Sequence, residues 1–384
     1  MSFDFENLPN RLNTNCEKYD GLDKKFGYSD ITPMWVADMD FVSPDFVSHT
    51  VLNRARHKVY GYPMFDKKYF ESIINWQKRH GFEIKKDWIC FSPSAVTSIN
   101  LAINAFSNES DGIIIQPPIY PPFFGSIKNN SREVLENRLI LRDNHYEIDF
   151  ENLKKHKSAK VILLCNPHNP TGRVFTKEEL YKIGDFALEN NIVIISDEIH
   201  SDLVYKKYKH IAIGSIEKFS DIVVTINSAS KTFNIAGLNN SYVIIKNREL
   251  RAKFLNISRR FSLAPNLFGA EVTKEAYLKG DIWLKSLIEY LESNSDLVNL
   301  FLKRHIPKIK LIKPEATYLL WLDFREFDLT HKEIENLLLT KVKVGFNSGL
   351  EFKSDEKFFR MNIATSKRRI LKVLERVSEI FNKY

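Results

Sequence analysis

Short runs of apolar residues recur along the chain, and polar or turn-forming residues follow each run directly. Four of these runs lie at residues 112–115, 161–165, 192–195 and 222–226. Apolar stretches of this length without polar alternation are typical of strands that are covered on both faces. They predict a mainly parallel sheet with helices on either side.

Helical patterns lie between the apolar runs. Thr176 and Glu179 stand three positions apart, so the pair matches a capping box at the start of a helix. Alternating strands and helices predict a three-layer α/β/α arrangement. We therefore expect a large α/β domain over residues 46–285.

The remainder of the chain has a different pattern. A helical segment near residues 283–288 precedes two shorter strand candidates, at 317–322 and 358–363. We expect residues 1–45 and 286–384 to combine into a smaller α+β domain.

Composition narrows the class of partner. Of the 384 residues 43% are hydrophobic, as in an ordinary globular protein, and the formal net charge is +8 at pH 7. A positive charge is one signature of nucleic-acid binding. The lysines, however, are spread along the chain and mixed with acidic residues, as at 353–357. We therefore expect no nucleic-acid partner and a modest attraction for anionic metabolites.

The sequence also indicates a location. No apolar run approaches the ~20 residues that span a bilayer, and residues 1–6 lack the pattern of a signal peptide. Cys16, Cys90 and Cys165 form neither a metal-like pair nor a disulfide framework. We expect a cytoplasmic protein that has no membrane partner and no metal site.

Polar residues that can carry chemistry follow the ends of the predicted strands. Tyr120, Asn169, Asp197 and Lys231 each come after a different apolar run. Open α/β sheets place their ligands at the carboxyl ends of the strands. We therefore expect these four side chains to converge on one site.

A lysine flanked by hydroxyl groups at the end of a buried strand is typical of a Schiff-base lysine. Pyridoxal phosphate requires an amine, a carboxylate at its pyridine nitrogen, an anion pocket and an aromatic face. Lys231 would supply the amine and Asp197 the carboxylate. Tyr120 would stack on the ring, and Asn169 would hydrogen-bond its phenolate oxygen. The phosphate ligands would be the hydroxyls of Ser228 and Ser230 and the backbone N–H groups near Ala95 and Val96.

Each of these residues also has an ordinary structural explanation. Asp197 would serve equally as a helix cap, residues 166–172 as a rigid turn, and Tyr120 as part of the core. The Ser-x-x-Lys spacing of Ser228 and Lys231 also occurs in penicillin-binding enzymes, but no Ser-Asp-Asn or Lys-Thr-Gly accompanies it. The combination over four strand ends is what favours the cofactor hypothesis.

At these positions the chain resembles the fold-type I pyridoxal-phosphate enzymes of the aspartate aminotransferase superfamily. Within them it is similar to the MalY/PatB group of cystathionine and cysteine-S-conjugate β-lyases. The resemblance covers nearly the whole length. Its motifs lie at residues 33–41, 60–63, 116–120, 166–173, 196–200, 230–238 and 359–362.

The resemblance implies a role for each site residue. Lys231, Tyr120 and Asp197 would be catalytic, and Lys231 would form the Schiff base. Arg360 would bind the substrate α-carboxylate as a fork. Val36, Ala37 and Asn169 would line the substrate site beside that arginine. Ser228, Ser230, Ala95 and Val96 would bind the phosphate together with Tyr60 of the partner subunit, which implies a homodimer.

The chain departs from the group's pattern near the phosphate. Residues 92–97 lack the usual glycine, so easy access to positive φ is lost and we expect different or weaker phosphate binding. Ala229 stands where a proline is usual. Residues 238–240 lack the arginine of the wider superfamily, and the lyase group resembles the chain in that absence.

The resemblance implies α,β-elimination from an amino acid that carries sulfur on Cβ, yielding a thiol, pyruvate and ammonia. Lys231 would remove the Cα proton. A class I/II aminotransferase is the alternative, because it would use the same lysine, aspartate and arginine. A purely regulatory protein that kept the fold is a third hypothesis.

Overall fold

The computed structural model describes residues 3–384. Its strands and α-helices are numbered along the chain. The strands are β1 (Thr32–Pro33), β2 (Ile89–Ser92), β3 (Gly112–Ile115), β4 (Glu133–Glu136), β5 (Ile140–Arg142), β6 (His145–Glu147), β7 (Val161–Cys165), β8 (Val193–Asp197), β9 (Val223–Asn227), β10 (Ser241–Ile245), β11 (Lys310–Leu311), β12 (Leu319–Asp323), β13 (Val344–Gly345), β14 (Asn347–Ser348) and β15 (Phe358–Asn362). The helices are α1 (Glu17–Asp20), α2 (Leu22–Phe26), α3 (Asp45–Arg56), α4 (Lys67–Gln77), α5 (Ala95–Phe106), α6 (Pro121–Lys128), α7 (Phe150–Leu153), α8 (Lys177–Glu189), α9 (Arg248–Arg260), α10 (Leu267–Lys279), α11 (Asp281–His305), α12 (His331–Leu337) and α13 (Lys367–Phe381).

The central sheet has seven strands in the order β2-β10-β9-β8-β7-β3-β4. Strands β9, β8, β7, β3 and β4 pair in parallel, and only β10 pairs antiparallel with both of its neighbours. Strand β2 therefore runs in the same direction as β9. The prediction of a mainly parallel sheet is confirmed.

The two faces of the sheet bury alternate residues of each strand. In β7, Leu163 packs in the cluster that contains α5, α6 and α9. Its neighbours Ile162 and Leu164 pack in the cluster that contains α8. Each strand is therefore apolar throughout because it faces helices on both sides. The predicted three-layer α/β/α fold is confirmed.

Capping fixes where the helices start. The Thr176 side chain accepts a hydrogen bond from the Glu179 N–H, and the Glu179 side chain accepts one from the Thr176 N–H, so the predicted capping box is present. Ser94 caps α5 by accepting a hydrogen bond from the Thr97 N–H. The first turn of α5 consequently begins immediately after β2, at the carboxyl edge of the sheet.

A second, antiparallel sheet has the order β11-β12-β15-β14. Strand β1 pairs in parallel with β13, which joins the N-terminal segment to the C-terminal part of the chain. Helix α11 runs through position 285, where the sequence placed a domain boundary. The division into residues 1–45, 46–285 and 286–384 stays a prediction. Within residues 3–384 no helix is both long and apolar enough to cross a membrane.

Two helical glycines provide a matched test of this packing. A Cβ on Gly184 in α8 would lie 2.5 Å from the buried Phe219 ring, whereas one on Gly125 in α6 would have its nearest neighbour at 4.0 Å. Alanine favours a helix by about 1 kcal/mol over glycine, but overpacking a core costs about 1–3 kcal/mol. We expect Gly184→Ala to lower the free energy of unfolding and Gly125→Ala to leave it equal or higher in urea unfolding. Equal effects of the two substitutions would contradict the packing described for α8.

Candidate active site

A cavity of about 160 Å³ lies at the carboxyl edge of the central sheet. Residues that follow five different strands line it, from β2, β3, β7, β8 and β9. Of the residues singled out from the sequence, those lining the cavity are Ala37, Ala95, Val96, Tyr120, Asn169, Asp197, Ser228, Ser230 and Lys231. The expected convergence of four strand ends is therefore a feature of the structure.

Lys231 lies in the turn after β9, with its amine inside the cavity. Its Nζ donates a hydrogen bond to the carbonyl oxygen of Ala37 at 2.6 Å. Burial lowers the pKa of Lys231 to about 8, with the charge of Asp38 opposing that shift and the charge of Arg360 adding to it. Roughly a tenth of the amine is then uncharged at pH 7, far more than for an exposed lysine.

Asp197 is the last residue of β8 and is buried. One of its carboxylate oxygens accepts a hydrogen bond from the Ile199 N–H at 3.2 Å. No lysine or arginine among residues 3–384 lies within ion-pair distance of it. Burial raises the pKa of Asp197 to about 6, and the neighbouring Glu198 adds to that shift. A cationic or N–H-bearing ligand group in the cavity would satisfy this carboxylate.

Arg360 lies on β15 and reaches the cavity wall from the second sheet. It donates hydrogen bonds to Asn169 Oδ1 at 2.9 Å, to the Trp35 carbonyl at 2.8 Å and to Asn347 Oδ1 at 2.8 Å. Its buried Nε has no hydrogen-bond partner among the described residues. Burial lowers the pKa of Arg360 to about 10, so the guanidinium remains charged at neutral pH. An anionic ligand group is the natural partner for the free N–H.

The loop between β2 and α5 forms one end of the cavity. None of residues 92–97 has a positive φ. The loop therefore leads from β2 into α5 without the backbone conformation that would favour a glycine. The N–H groups of Ala95 and Val96 belong to the first turn of α5, where no preceding helical carbonyl is available to them. They are suited to hold an anion.

The hydroxyl groups after β9 are arranged differently from one another. Ser228 Oγ donates to the Asn240 carbonyl at 2.6 Å and accepts from the Ser230 N–H at 3.1 Å, so it holds the turn together. Ser230 lines the cavity as well. Asn239, within the stretch 238–240 that lacks an arginine, lines the cavity with a positive φ of 46°. Lys231 is the only lysine or arginine among the described residues that line this cavity.

Three residues named from the sequence do not line the cavity. Arg360 contacts Asn169, which does line the cavity. Val36 precedes the lining residue Ala37, and its carbonyl accepts a hydrogen bond from Asn362 Nδ2 at 2.6 Å. Tyr60 is 60% exposed, and its hydroxyl donates to the Ala55 carbonyl at 2.9 Å. Within a single chain, therefore, Tyr60 does not reach the site.

The structure adds contacts that sequence reasoning missed. Residues 35–41 cross the site, and side chains from distant elements hold their backbone. Tyr318 Oη donates to the Ala37 carbonyl at 2.9 Å, beside Lys231 Nζ. Asn234 bonds both the N–H and the carbonyl of Met39 at 2.9 Å. Asn362 belongs to the same sequence motif as Arg360, so the sequence contained a signal for its role. No motif near Tyr318 indicated that its hydroxyl would bond the Ala37 carbonyl.

Comparison with known proteins places this arrangement in a family. The family model for aminotransferase class I and II matches residues 39–377. The chain belongs to that family. No group of three or more His, Cys, Asp or Glu side chains in residues 3–384 is arranged to hold a metal ion.

Individual relatives are similar over almost their whole length. Cystathionine beta-lyase PatB of Bacillus subtilis (strain 168) is 40% identical over 369 residues, which are 94% of this chain and 95% of that protein. The structure of cystalysin from Treponema denticola, which contains pyridoxal 5′-phosphate, has a TM-score of 0.96 at 34% identity and covers 100% of both chains. The PLP-bound C-S lyase from Staphylococcus hominis has a TM-score of 0.92 at 30% identity, covering 99% of this chain and 98% of that one.

The raised pKa of Asp197 gives a prediction for the protein stripped of any cofactor. A folded-state pKa near 6 lies above the ordinary value near 4, so the folded state binds the proton more tightly. The contribution of this carboxyl to stability falls as the pH rises from about 4 to about 6, by on the order of 2–3 kcal/mol. We expect Asp197→Asn to gain stability relative to the unsubstituted protein over that interval, measured by urea unfolding at several pH values. A difference that does not vary with pH would contradict the assignment.

Proposed function

We propose that this chain is a pyridoxal-phosphate-dependent carbon–sulfur β-lyase. It cleaves cystathionine or a related cysteine S-conjugate to a thiol, pyruvate and ammonia. The observation that carries the proposal is the meeting of Lys231, Asp197 and Asn169 at one cavity, with Arg360 bonded to Asn169, in a chain 40% identical to a cystathionine beta-lyase. Two relatives with lyase names cover 94% and 99% of this chain.

The residues at the cavity fit pyridoxal 5′-phosphate. Asp197 is buried with no lysine or arginine of the described residues within ion-pair distance, and the N–H groups at the start of α5 have no helical acceptors. These two features suit a pyridine nitrogen at one end of the cofactor and a phosphate at the other. Lys231 would hold the aldehyde carbon, Tyr120 and Asn169 would contact the ring, and Ser230 would join the phosphate ligands. When bound, the cofactor withdraws electrons from the substrate Cα.

Lys231 is the base that removes the substrate Cα proton. Elimination requires a base at Cα, and the lowered pKa of Lys231 supplies an uncharged amine near neutral pH. The Ala37 carbonyl, which accepts from Nζ, orients that amine. The electron pair of the Cα–H bond forms a Cα=Cβ double bond as the thiolate leaves with the electrons of the C–S bond. The 2-aminoacrylate that is released reacts with water to give pyruvate and ammonia. The amine that took the proton is then able to return it to the leaving sulfur or to solvent.

Arg360 orients the substrate. Its Nε has no hydrogen-bond partner among the described residues, and another of its nitrogens bonds Asn169, which lines the cavity; an amino-acid carboxylate bound beside Asn169 would complete the hydrogen bonds of the guanidinium. The bonds to Trp35 and Asn347 fix the guanidinium plane, so the carboxylate would be held in one orientation. That orientation sets which Cα bond is aligned for reaction.

The assembly and location are further parts of the proposal. We propose a homodimer in which Tyr60 of the partner subunit reaches the phosphate end of the site. The exposure of Tyr60, of Tyr62 at 103% and of Met64 at 87% supports this, since such side chains are usually covered. We also propose a cytoplasmic location, supported by three cysteines that form no disulfide in the described residues.

The aminotransferase hypothesis differs in one requirement that is simple to measure. A lyase releases pyruvate and thiol from cystathionine alone, whereas an aminotransferase needs a keto-acid acceptor. We expect purified holoenzyme to form pyruvate with cystathionine at a rate that added 2-oxoglutarate does not raise. Pyruvate can be followed with lactate dehydrogenase and the thiol with a chromogenic disulfide. Strict dependence on 2-oxoglutarate would establish the aminotransferase instead.

The role of Lys231 can be tested without turnover. Bound pyridoxal phosphate that is linked to a lysine absorbs visible light, so the protein should be yellow when saturated. We expect Lys231→Ala to lose that band and to lower kcat by at least about 10³-fold, because both the covalent link and the base are removed. Lys253→Ala, in the exposed part of α9, is the control and should retain both. A band that survives in Lys231→Ala would assign the cofactor to another amine.

A further inference from the structure

The buried carboxylate of Asp202 lies outside the cavity and contacts Thr232, which follows Lys231 in the turn after β9. Asp202 is 7% exposed and accepts hydrogen bonds from three residues on two segments, residues 76–80 and the turn that holds Lys231. Trp76 Nε1 of α4 lies at 3.0 Å from one oxygen and 3.1 Å from the other, and His80 Nε2 lies at 2.9 Å. Thr232 Oγ1 lies at 2.7 Å. A carboxylate only accepts, so all three groups donate to it.

Thr232 is the residue that follows Lys231, and its side chain is completely buried. Its hydroxyl bond to Asp202 therefore fixes the backbone from which the lysine side chain projects. Burial by itself would raise the pKa of Asp202, but the hydrogen bond and charge of His80, with the bonds from Thr232 and Trp76, hold that pKa below its usual range. The carboxylate is thus ionised at neutral pH and accepts strong, charge-assisted bonds.

The residue after Asp197 is a second buried carboxylate, as Asp202 is, with its own hydrogen-bond donors. Glu198 is 1% exposed and accepts hydrogen bonds from Ser196 Oγ and from His210 Nε2, each at 2.9 Å. The His210 ring packs edge-on against the His80 ring, with centroids 5.3 Å apart. One contiguous buried cluster consequently adjoins both the lysine and the aspartate of the site. This cluster comprises His80, Asp202, Thr232, Glu198 and His210.

Stability alone gives a weak reason for such a cluster. Buried ionic groups are often replaceable by apolar side chains of similar volume at little or no cost in stability. Catalysis by an amine, in contrast, becomes slower when the amine is displaced by even about 1 Å. The bond from Thr232 ties Asp202 to the turn that sets the position of Lys231, and the bonds from Trp76 and His80 tie the same carboxylate to α4 and the turn that follows it.

We propose that Asp202 is a positioning residue that fixes the direction of Lys231 through the hydroxyl of Thr232. This inference rests on the proposed function for its kinetic consequence, but not for its effect on cofactor attachment. Thr232→Val removes the hydroxyl while keeping the buried shape, and Thr232→Ser keeps the hydroxyl. Thr225→Val is the matched control, since Thr225 on the preceding strand is also completely buried and its Oγ1 has no hydrogen-bond partner among the described residues.

The experiment measures three quantities on purified holoenzyme of each variant. They are kcat and KM with cystathionine, the midpoint of thermal unfolding, and the first-order rate at which the visible band returns when pyridoxal phosphate is added back to stripped protein. For Thr232→Val we expect kcat and the band-return rate each to fall about 10- to 100-fold while KM changes less than about threefold. Thr232→Ser should recover most of both rates, and Thr225→Val should match the unsubstituted protein. Asp202→Asn should resemble Thr232→Val.

The outcomes separate the alternatives. If Thr232→Val keeps both rates and loses only thermal stability, the cluster is structural and the positioning role is refuted. If the unsubstituted protein forms the visible band but releases no pyruvate from cystathionine, the proposed lyase function fails. The band-return rates then still decide the role of Asp202. If Thr225→Val loses rate as much as Thr232→Val, the effect is one of core packing and the inference also fails.

Discussion

The shared carboxyl edge of parallel strands is the constraint on which the rest of this structure depends. Helices cover both faces of the sheet, so only its edges and strand ends can present chemistry. Strands β7, β8 and β9 are adjacent and parallel, which brings Asn169, Asp197 and Lys231 within one cavity although they are far apart in sequence. Burial at that edge then shifts the pKa values of Asp197 and Lys231. The same low polarity raises the pKa of the carboxyl group and lowers that of the amine.

Much of the sheet could be predicted from the sequence because its strands are apolar on both faces. The runs at 161–165 and 222–226 lie within one residue of β7 and β9, and the residue types after them already indicated a pyridine cofactor. Arg360 was different. Nothing in its local sequence indicates the cavity, and its bond to Asn169 joins positions 191 residues apart. It was found only through the resemblance of a motif.

Other parts of the site left no signal that residue-by-residue reasoning can detect. The group that holds Lys231 Nζ is a backbone carbonyl, and a carbonyl is present at every position of the chain. Asp202 lies five residues after Asp197, just beyond the motif at 196–200, and its partners Trp76 and His80 lie at the end of α4 and in the turn after it, more than a hundred residues earlier. Contacts of this kind follow from packing between elements rather than from local pattern.

Residues 35–41 cross the site, and two of the side chains that hold them belong to β15, more than three hundred residues later in the chain. Trp35 and Val36 are bound by Arg360 and Asn362 of β15, the strand that lies between β12 and β14. During synthesis on a ribosome, the first of these segments emerges more than three hundred residues before the second. A nascent chain can contain every strand of the large sheet before β15 has been made, but Trp35 and Val36 have no partners from β15 until then. The complete set of site residues is therefore tied to synthesis of β15, and a chain interrupted before residue 358 would leave Lys231 and Asp197 without Arg360.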